Sequence, residues 1–313
     1  MSRIIVVEFM DERAVDTLRA SRNVLYDPTL VDDAPRLLAE AATADALIVR
    51  NRTQVRGALL EALTRCRVLG RLGVGLDNID LPGCAARRIA VIPATGANAL
   101  SVAEYVVTTA LLLLRGAYGA SAAVAAGQWP RPALSSGREI AGKTLGLVGF
   151  GAIGQHTARL ARGLGMTVMA FDTLLDDDHP AFAQAGVRPC GLDEVVRSSD
   201  VLSLHVPLVE ATRGLLGADR IATMKPGAVL INTARGGIVD EAALAEALRS
   251  GRLGGAAIDV FDAEPLPATP HFADCPNLIL TPHIAGLTVE SNERVSSLIA
   301  ERVLQALTSE PGD

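Results

Sequence analysis

Arg235, Glu264 and His283 are the residues whose types and settings could do chemistry together. Arg235 lies in I-N-T-A-R-G-G-I-V-D (231–240), where an apolar run stops at an arginine followed by two glycines. Glu264 closes D-V-F-D-A-E-P (259–265), and His283 sits in T-P-H-I-A-G (281–286), each just after an apolar run. A guanidinium offers a carboxylate a rigid two-pronged partner. An imidazole exchanges a proton near neutral pH. A carboxylate beside the ring holds it and favours the imidazolium. Reduction of a 2-keto acid needs these functions together: a cation for the carboxylate and a proton donor for the carbonyl oxygen. Singly, each residue has a plainer reading, as a helix cap, a solvated loop acid and a satisfied core histidine. Among the other histidines only His205, at the end of an apolar run, competes with His283.

A second constellation supplies a cofactor. Residues 145–154 read L-G-L-V-G-F-G-A-I-G, an apolar strand running into Gly149, Gly151 and Gly154 with a helix expected over 152–164. This is the dinucleotide fingerprint in its proper context. Gly149 permits the tight turn, Gly151 admits a pyrophosphate to the backbone, and Gly154 lets helix and strand approach. The free N–H groups at the helix start then face the anion. Asp172 ends the next apolar run, eighteen residues after Gly154, where an acid accepts from ribose hydroxyls and repels the extra phosphate of NADP. Asp176, Asp177 and Asp178 follow, with no nearby Lys or Arg, so the expected cofactor is NAD.

Short apolar runs alternating with amphipathic stretches must position these residues, which is the pattern of an α/β fold. Early strands are expected at 4–7, 47–49, 68–69 and 89–92, with helices over 12–20, 34–41 and 56–62. A second series is expected at 145–148, 167–171, 201–204, 229–232, 256–260 and 278–281. Between the two series, 99–118 is apolar on nearly every side of a helix, which predicts burial between domains or subunits, with a core helix within one domain as the plainer reading. The Ala-, Gly-, Ser- and Pro-rich stretch 116–137 follows, its second half read as loop. A final helix over 289–307 is expected to return to the first domain.

The 313 residues suit two cores better than one. Hydrophobic residues make up 49% and aromatics only 3%, so those cores must be aliphatic, as parallel strands buried on both faces require. The net charge of -6 is well mixed along the chain, and no basic stripe points to nucleic acid. The longest apolar run, 106–114, is too short to span a bilayer. Cys66, Cys84, Cys190 and Cys275 lack metal-ligand spacing, so no metal is expected and the thiols read as reduced, in a cytoplasmic protein.

Taken together, these blocks resemble the D-isomer-specific 2-hydroxyacid dehydrogenases over nearly the whole chain. The resemblance is carried by G-R-L-G-V-G-L-D-N-I-D (70–80), the glycine loop with Asp172, H-V-P-L (205–208), M-K-P-G-A-V-L-I-N-T-A-R-G-G-I-V-D (224–240) and the segments holding Glu264 and His283. It implies two doubly wound domains, with a Rossmann NAD-binding domain (99–286) inserted into a flavodoxin-like substrate domain (1–98 and 287–313). It implies a homodimer joined largely through the NAD domains, with 99–118 contributing. Arg235 would bind the substrate's carboxylate and carbonyl, His283 would be the acid/base and Glu264 its partner. The backbone at Val74 and Gly75 would bind the carboxylate. Ala152, Ile153, Asp172, Val206, Pro207, Thr233, Ala234 and Asp259 would line the NAD site, with Asp259 meeting the nicotinamide amide.

The substrate is expected to be a small anionic 2-hydroxy or 2-keto acid. Arg50 and Arg52 in R-N-R-T (50–53), with Arg71, place three cations on segments that face the substrate in this family, which suits a second anion such as a phosphate or sulfonate. The plainer reading of Arg52 or Arg71 is a structural ion pair. The fuller pattern, with F-M-D-E (9–12) and E-S-N-E-R-V-S (290–296), is similar to family members acting on (S)-sulfolactate. The expected reaction is its oxidation to sulfopyruvate with NAD. Phosphoglycerate dehydrogenase and hydroxypyruvate or glyoxylate reductase are the enzymatic alternatives, and an NAD-sensing corepressor-like binding protein is the alternative of another class. With the chain ending at Asp313, a C-terminal regulatory domain and control by serine are not expected.

Overall fold

The computed structural model describes residues 2–268 and 271–308. The chain divides into two compact units, one of the residues up to Asn98 with those from Leu287 onward, the other of Ala99–Gly286.

The first unit is built on five parallel strands, β1 (Arg3–Val6), β2 (Asn23–Tyr26), β3 (Ala46–Val49), β4 (Val68–Arg71) and β5 (Ala90–Pro93), in the order β2-β1-β3-β4-β5. Side chains alternate between two faces. Ile5, Leu47 and Leu69 enter one core with Leu37, Leu60 and Cys84. Ile4, Val6, Ile48 and Val68 enter the other with Val15, Leu18, Ile299 and Val303. Both faces of the central strands are covered, which is why β1 and β3 read as nearly unbroken apolar runs. Three of the helices on them start at capping acids: Asp11, Asp33 and Asp80 each accept a backbone N–H of the first turn. The last helix, Val289–Thr308, lies on the second face beside β4 and β5. Gly70 makes room for it, since a Cβ there would stand 2.8 Å from Ile299 Cγ2 and 2.9 Å from Val303 Cγ2. The strand order reverses between β1 and β3, so the segments after them, at Glu8 and Arg50, flank the crevice where open α/β sheets bind ligands.

The second unit carries seven parallel strands, β6 (Thr144–Val148), β7 (Thr167–Phe171), β8 (Arg188–Pro189), β9 (Val201–Leu204), β10 (Ala228–Asn232), β11 (Leu253–Ile258) and β12 (Leu278–Leu280). Their order, β12-β11-β10-β9-β6-β7-β8, is the doubly wound arrangement with its reversal between β6 and β9. Leu145, Leu147, Val229 and Ile231 pack on one side with Val102, Val106 and Ala110 of the helix Ala99–Arg115. Val148, Leu202, Leu230 and Ile258 pack on the other with Val195, Leu244 and Leu248.

The helix Ala99–Arg115 is less evenly apolar than its sequence reading. It packs within its own unit, on the helix Ala152–Gly163 and on β10 and β11, and it shows an outward stripe of Glu104, Thr108, Leu111 and Arg115. It also stops at Arg115, because Gly116 takes a left-handed φ of 65°. Among the described residues no single helix is long and apolar enough to cross a membrane, and no three or more His, Cys, Asp or Glu side chains are grouped so as to hold a metal ion.

Candidate active site

The glycine loop follows β6. Gly149 has a φ of 98°, and a Cβ on it would lie 2.6 Å from the His205 carbonyl oxygen. Gly154 faces the Gly149 carbonyl just as tightly, at 2.5 Å. Both positions exclude any side chain. Gly151, by contrast, opens onto free space and begins the helix Ala152–Gly163 with no side chain capping it. Asp172, directly after β7, braces this turn: one carboxylate oxygen accepts from Phe150 N–H at 2.6 Å and the other from Leu174 N–H at 2.8 Å. At the same sheet edge, Thr233 Oγ1 after β10 and His205 Nδ1 after β9 are buried with no protein hydrogen-bond partner. Buried polar atoms need partners. An uncapped helix start and a bare glycine at the reversal of a doubly wound sheet, with two orphaned polar atoms along the same edge, fit a dinucleotide.

Arg235, Glu264 and His283 follow the carboxyl ends of three adjacent strands, β10, β11 and β12. Asn232 shapes the first turn. Its side chain accepts from Ala234 N–H at 3.0 Å and donates to the Arg235 carbonyl at 2.9 Å. Gly236 then presses on the next segment so closely that a Cβ would fall 1.9 Å from the Phe261 carbonyl oxygen. Arg235 is half-buried, with one guanidinium nitrogen donating to the Ala234 carbonyl at 2.6 Å.

Glu264 is held from one side and holds on the other. Its Oε1 accepts from Phe261 N–H at 3.0 Å, and its Oε2 lies 2.7 Å from His283 Nδ1. A carboxylate only accepts, so Nδ1 carries the hydrogen and Nε2 is left as the site of proton exchange. The imidazole is about half exposed, with 47% of its side-chain surface accessible. His283 has a φ of 56°, a conformation that costs energy and persists where neighbours impose it. The neighbour here is Asp259, only 1% exposed. Its backbone carbonyl accepts from His283 N–H at 2.8 Å, and its carboxylate accepts from Ile284 N–H and Ala285 N–H, both at 2.8 Å, and from the Thr281 hydroxyl at 2.6 Å. Sequence reasoning assigned Asp259 to the cofactor and missed this bracketing of the histidine loop.

His205 is a different histidine. Its Nε2 sits 3.0 Å from Ser203 Oγ, and burial drives its pKa down to about 4, so it is uncharged at neutral pH.

In the first unit, Glu8 organises the R-N-R-T loop, which the sequence did not disclose. Its buried carboxylate accepts from the N–H groups of Arg50 (2.8 Å), Thr53 (3.0 Å) and Arg52 (3.1 Å). Asn78 completes the clamp by donating to the carbonyls of Arg50 and Thr53. The three arginines do not act alike. Arg50 is half-buried, stacked 5.6 Å over Phe9 and bonded to Asn292 at 2.6 Å; burial lowers its pKa and the Glu8 charge opposes that shift. Arg71 ends β4 beside Val49 of β3 and folds its guanidinium over Gly73, donating to the Leu72 carbonyl at 3.3 Å. Arg52 turns outward and pairs through both guanidinium nitrogens with Asp32. Val74 is exposed and Gly75 half-buried.

This fold and this edge define an NAD-dependent oxidoreductase acting on CH–OH groups. The family model described as D-isomer specific 2-hydroxyacid dehydrogenase, NAD binding domain, matches residues 107–285. The (S)-sulfolactate dehydrogenase of Chromohalobacter salexigens is 53% identical over 307 residues, 98% of this chain and 99% of that one. The D-3-phosphoglycerate dehydrogenase of Bacillus subtilis is 40% identical over 97% of this chain, which spans only 57% of its length. A crystal structure of a Thermus thermophilus protein superposes with a TM-score of 0.87 at 33% identity, covering 97% of this chain and 96% of that one. The chain belongs to the D-isomer-specific 2-hydroxyacid dehydrogenase family.

Proposed function

We propose that the protein oxidises (S)-sulfolactate to sulfopyruvate. For the chemistry, the observation that carries the reading is the 2.7 Å contact of Glu264 with His283 Nδ1, which leaves Nε2 for the substrate. For the substrate, it is the 53% identity to a sulfolactate dehydrogenase across nearly the full length of both chains. NAD, which the glycine loop and Asp172 would hold, would supply the hydride acceptor. His283 Nε2 takes the hydroxyl proton as the C2–H electron pair departs, and Glu264 stabilises the imidazolium that forms. Arg235 fixes the carboxylate and the developing carbonyl. Val206, Pro207, Thr233 and Ala234 would line the cofactor, together with Ala152 and Ile153 of the helix start. Asp259 keeps acceptor capacity for the nicotinamide amide at Oδ2, which takes only the Ala285 N–H.

From the first unit we assign Arg50 and Arg71 to the sulfonate, and the backbone at Val74 and Gly75 to the substrate carboxylate. The Asp32 pair favours a structural role for Arg52, although an exposed pair of this kind is weak and can exchange. The stereochemical label agrees with a D-specific site. Sulfur ranks the sulfomethyl group above the carboxylate, so the spatial arrangement of D-lactate is named S in sulfolactate.

We also propose a cytoplasmic homodimer. Its support is the run of exposed apolar side chains that begins at Leu111 and continues through Tyr118, Val124 and Trp129. The test is NADH formation from (S)-sulfolactate, 3-phosphoglycerate, D-lactate and glycerate, on protein whose sedimentation mass, expected at two chains, is measured first. Sulfolactate should exceed D-lactate in kcat/KM by about tenfold or more, the worth of a charge-assisted hydrogen bond of about 1.5–3 kcal/mol. Preference for 3-phosphoglycerate would replace the substrate and keep the family. A sedimentation mass of one chain would remove the dimer.

A further inference from the structure

Two hydroxyl groups stand behind the loop that carries His283. Tyr105 lies on the helix Ala99–Arg115, half-buried, with its hydroxyl 2.6 Å from Thr281 Oγ1. Thr281 follows β12, and its Oγ1 is 2.6 Å from Asp259 Oδ1. Oδ1 already accepts the Ile284 N–H, so it is an acceptor and Thr281 must donate to it. The Thr281 hydrogen is then committed, and Tyr105 must donate to Thr281. Burial raises the Tyr105 pKa, the hydrogen bond to Thr281 opposes that and the Asp259 charge adds to it; the net shift is upward, so the phenol stays a donor.

Every link of this chain points toward Asp259, and Asp259 tethers three consecutive N–H groups, those of His283, Ile284 and Ala285. The backbone it tethers includes His283 in its left-handed conformation. We propose that Tyr105 and Thr281 are positioning residues for the reaction, fixing the Asp259 carboxylate and through it the place at which His283 presents Nε2. The proposal rests on the reading of His283 as the acid/base. Neither hydroxyl touches the imidazole or Glu264 in any hydrogen bond of the structure, so their effect is on geometry. A displacement of about 1 Å at a reacting group can cost on the order of 100-fold in rate.

The test compares Tyr105→Phe, Thr281→Val, Thr281→Ser and His283→Gln with the unaltered protein. Each is assayed with NAD and whichever acid of the panel that protein turns over fastest. The kcat is expressed per NADH-binding site, counted by fluorescence titration, so that unfolded protein drops out. Thr281→Val should lower kcat per site by about 30- to 100-fold. Tyr105→Phe, which keeps the ring and removes one neutral hydrogen bond, should lower it by about 3- to 10-fold. The hydroxy-acid KM should stay within about threefold in both, and Thr281→Ser should recover kcat to within about threefold of the original, since it keeps the hydroxyl. Unchanged kcat per site in Thr281→Val, or a Ser variant as slow as the Val variant, would overturn the proposal. His283→Gln separates the two readings: normal turnover there would remove the acid/base assignment itself, whatever the hydroxyl variants do.

Discussion

Arg235→Ala is expected to lower kcat/KM by about 1000-fold or more, while NADH affinity stays within about twofold. The loss equals about 4 kcal/mol of transition-state stabilisation, which is the range for removing one member of a buried, hydrogen-bonded charge pair. The turn should survive the change. Asn232 shapes it through the Ala234 N–H and the Arg235 carbonyl, both of which alanine keeps. Gly236, next in the turn, is packed on the Phe261 carbonyl and is likewise untouched. Arg235→Lys should recover little, because an ammonium restores the charge and not the fork. Steady-state kinetics with a parallel NADH titration decide the matter. Equal losses in turnover and NADH binding would place Arg235 in the cofactor site instead.

His283→Gln is expected to lower kcat by about 1000-fold, within the range for removing a general acid or base. Glu264→Gln should cost less, about 100-fold, because it removes the negative partner of the imidazolium while leaving the imidazole in place. The decisive comparison is the double variant. Glu264 Oε2 acts on His283, and Oε1 is held by the Phe261 N–H, so its catalytic contribution passes through the ring. In the His283→Gln background, Glu264→Gln should therefore cost nothing further, the strong non-additivity of residues that act as one unit. Additive losses would show that Glu264 reaches the substrate by another route.

Residues that follow strands buried on both faces were readable from the sequence. β6, β9 and β10 are unbroken apolar runs, and Gly149, His205 and Arg235 stand out against them. Two of the four edge strands, β2 and β8, were not readable. β2 begins at an exposed Asn23 and is only partly covered, and β8 is two residues long and contains Pro189. β11 was read two to three residues late because Gly254 and Gly255 argue against a strand. Both glycines are there for closeness: a Cβ on Gly254 would lie 2.4 Å from the Gly227 carbonyl oxygen, and one on Gly255 would lie 2.5 Å from Asn277 Nδ2.

Within the candidate site, residue types carried Arg235, Glu264 and His283, since each has a chemical use that its position permits. The groups that hold them carried no such mark. Glu8 acts on backbone N–H groups 42 to 45 residues away, and Tyr105 reaches Thr281 across 176 residues. Such partners exist only once the sheets have assembled. The one local hint was an acid placed at the end of an apolar run, Glu8 after 4–7 and Asp259 after 256–258. Arg52 is a cation whose type suited an anionic substrate, and in the structure its side chain folds onto Asp32, the ion pair that was its plainer reading.

The central claim is that this edge oxidises a D-configured hydroxy acid carrying a sulfonate, and the most direct measurement is the initial rate of NADH formation from the two separate enantiomers of sulfolactate. With the hydroxyl on His283 and the carboxylate on Arg235, only the S enantiomer should turn its C2 hydrogen toward the cofactor. Its rate should exceed that of the R enantiomer by about 100-fold or more. Equal rates, or a preference for R, would contradict the assignment of the site.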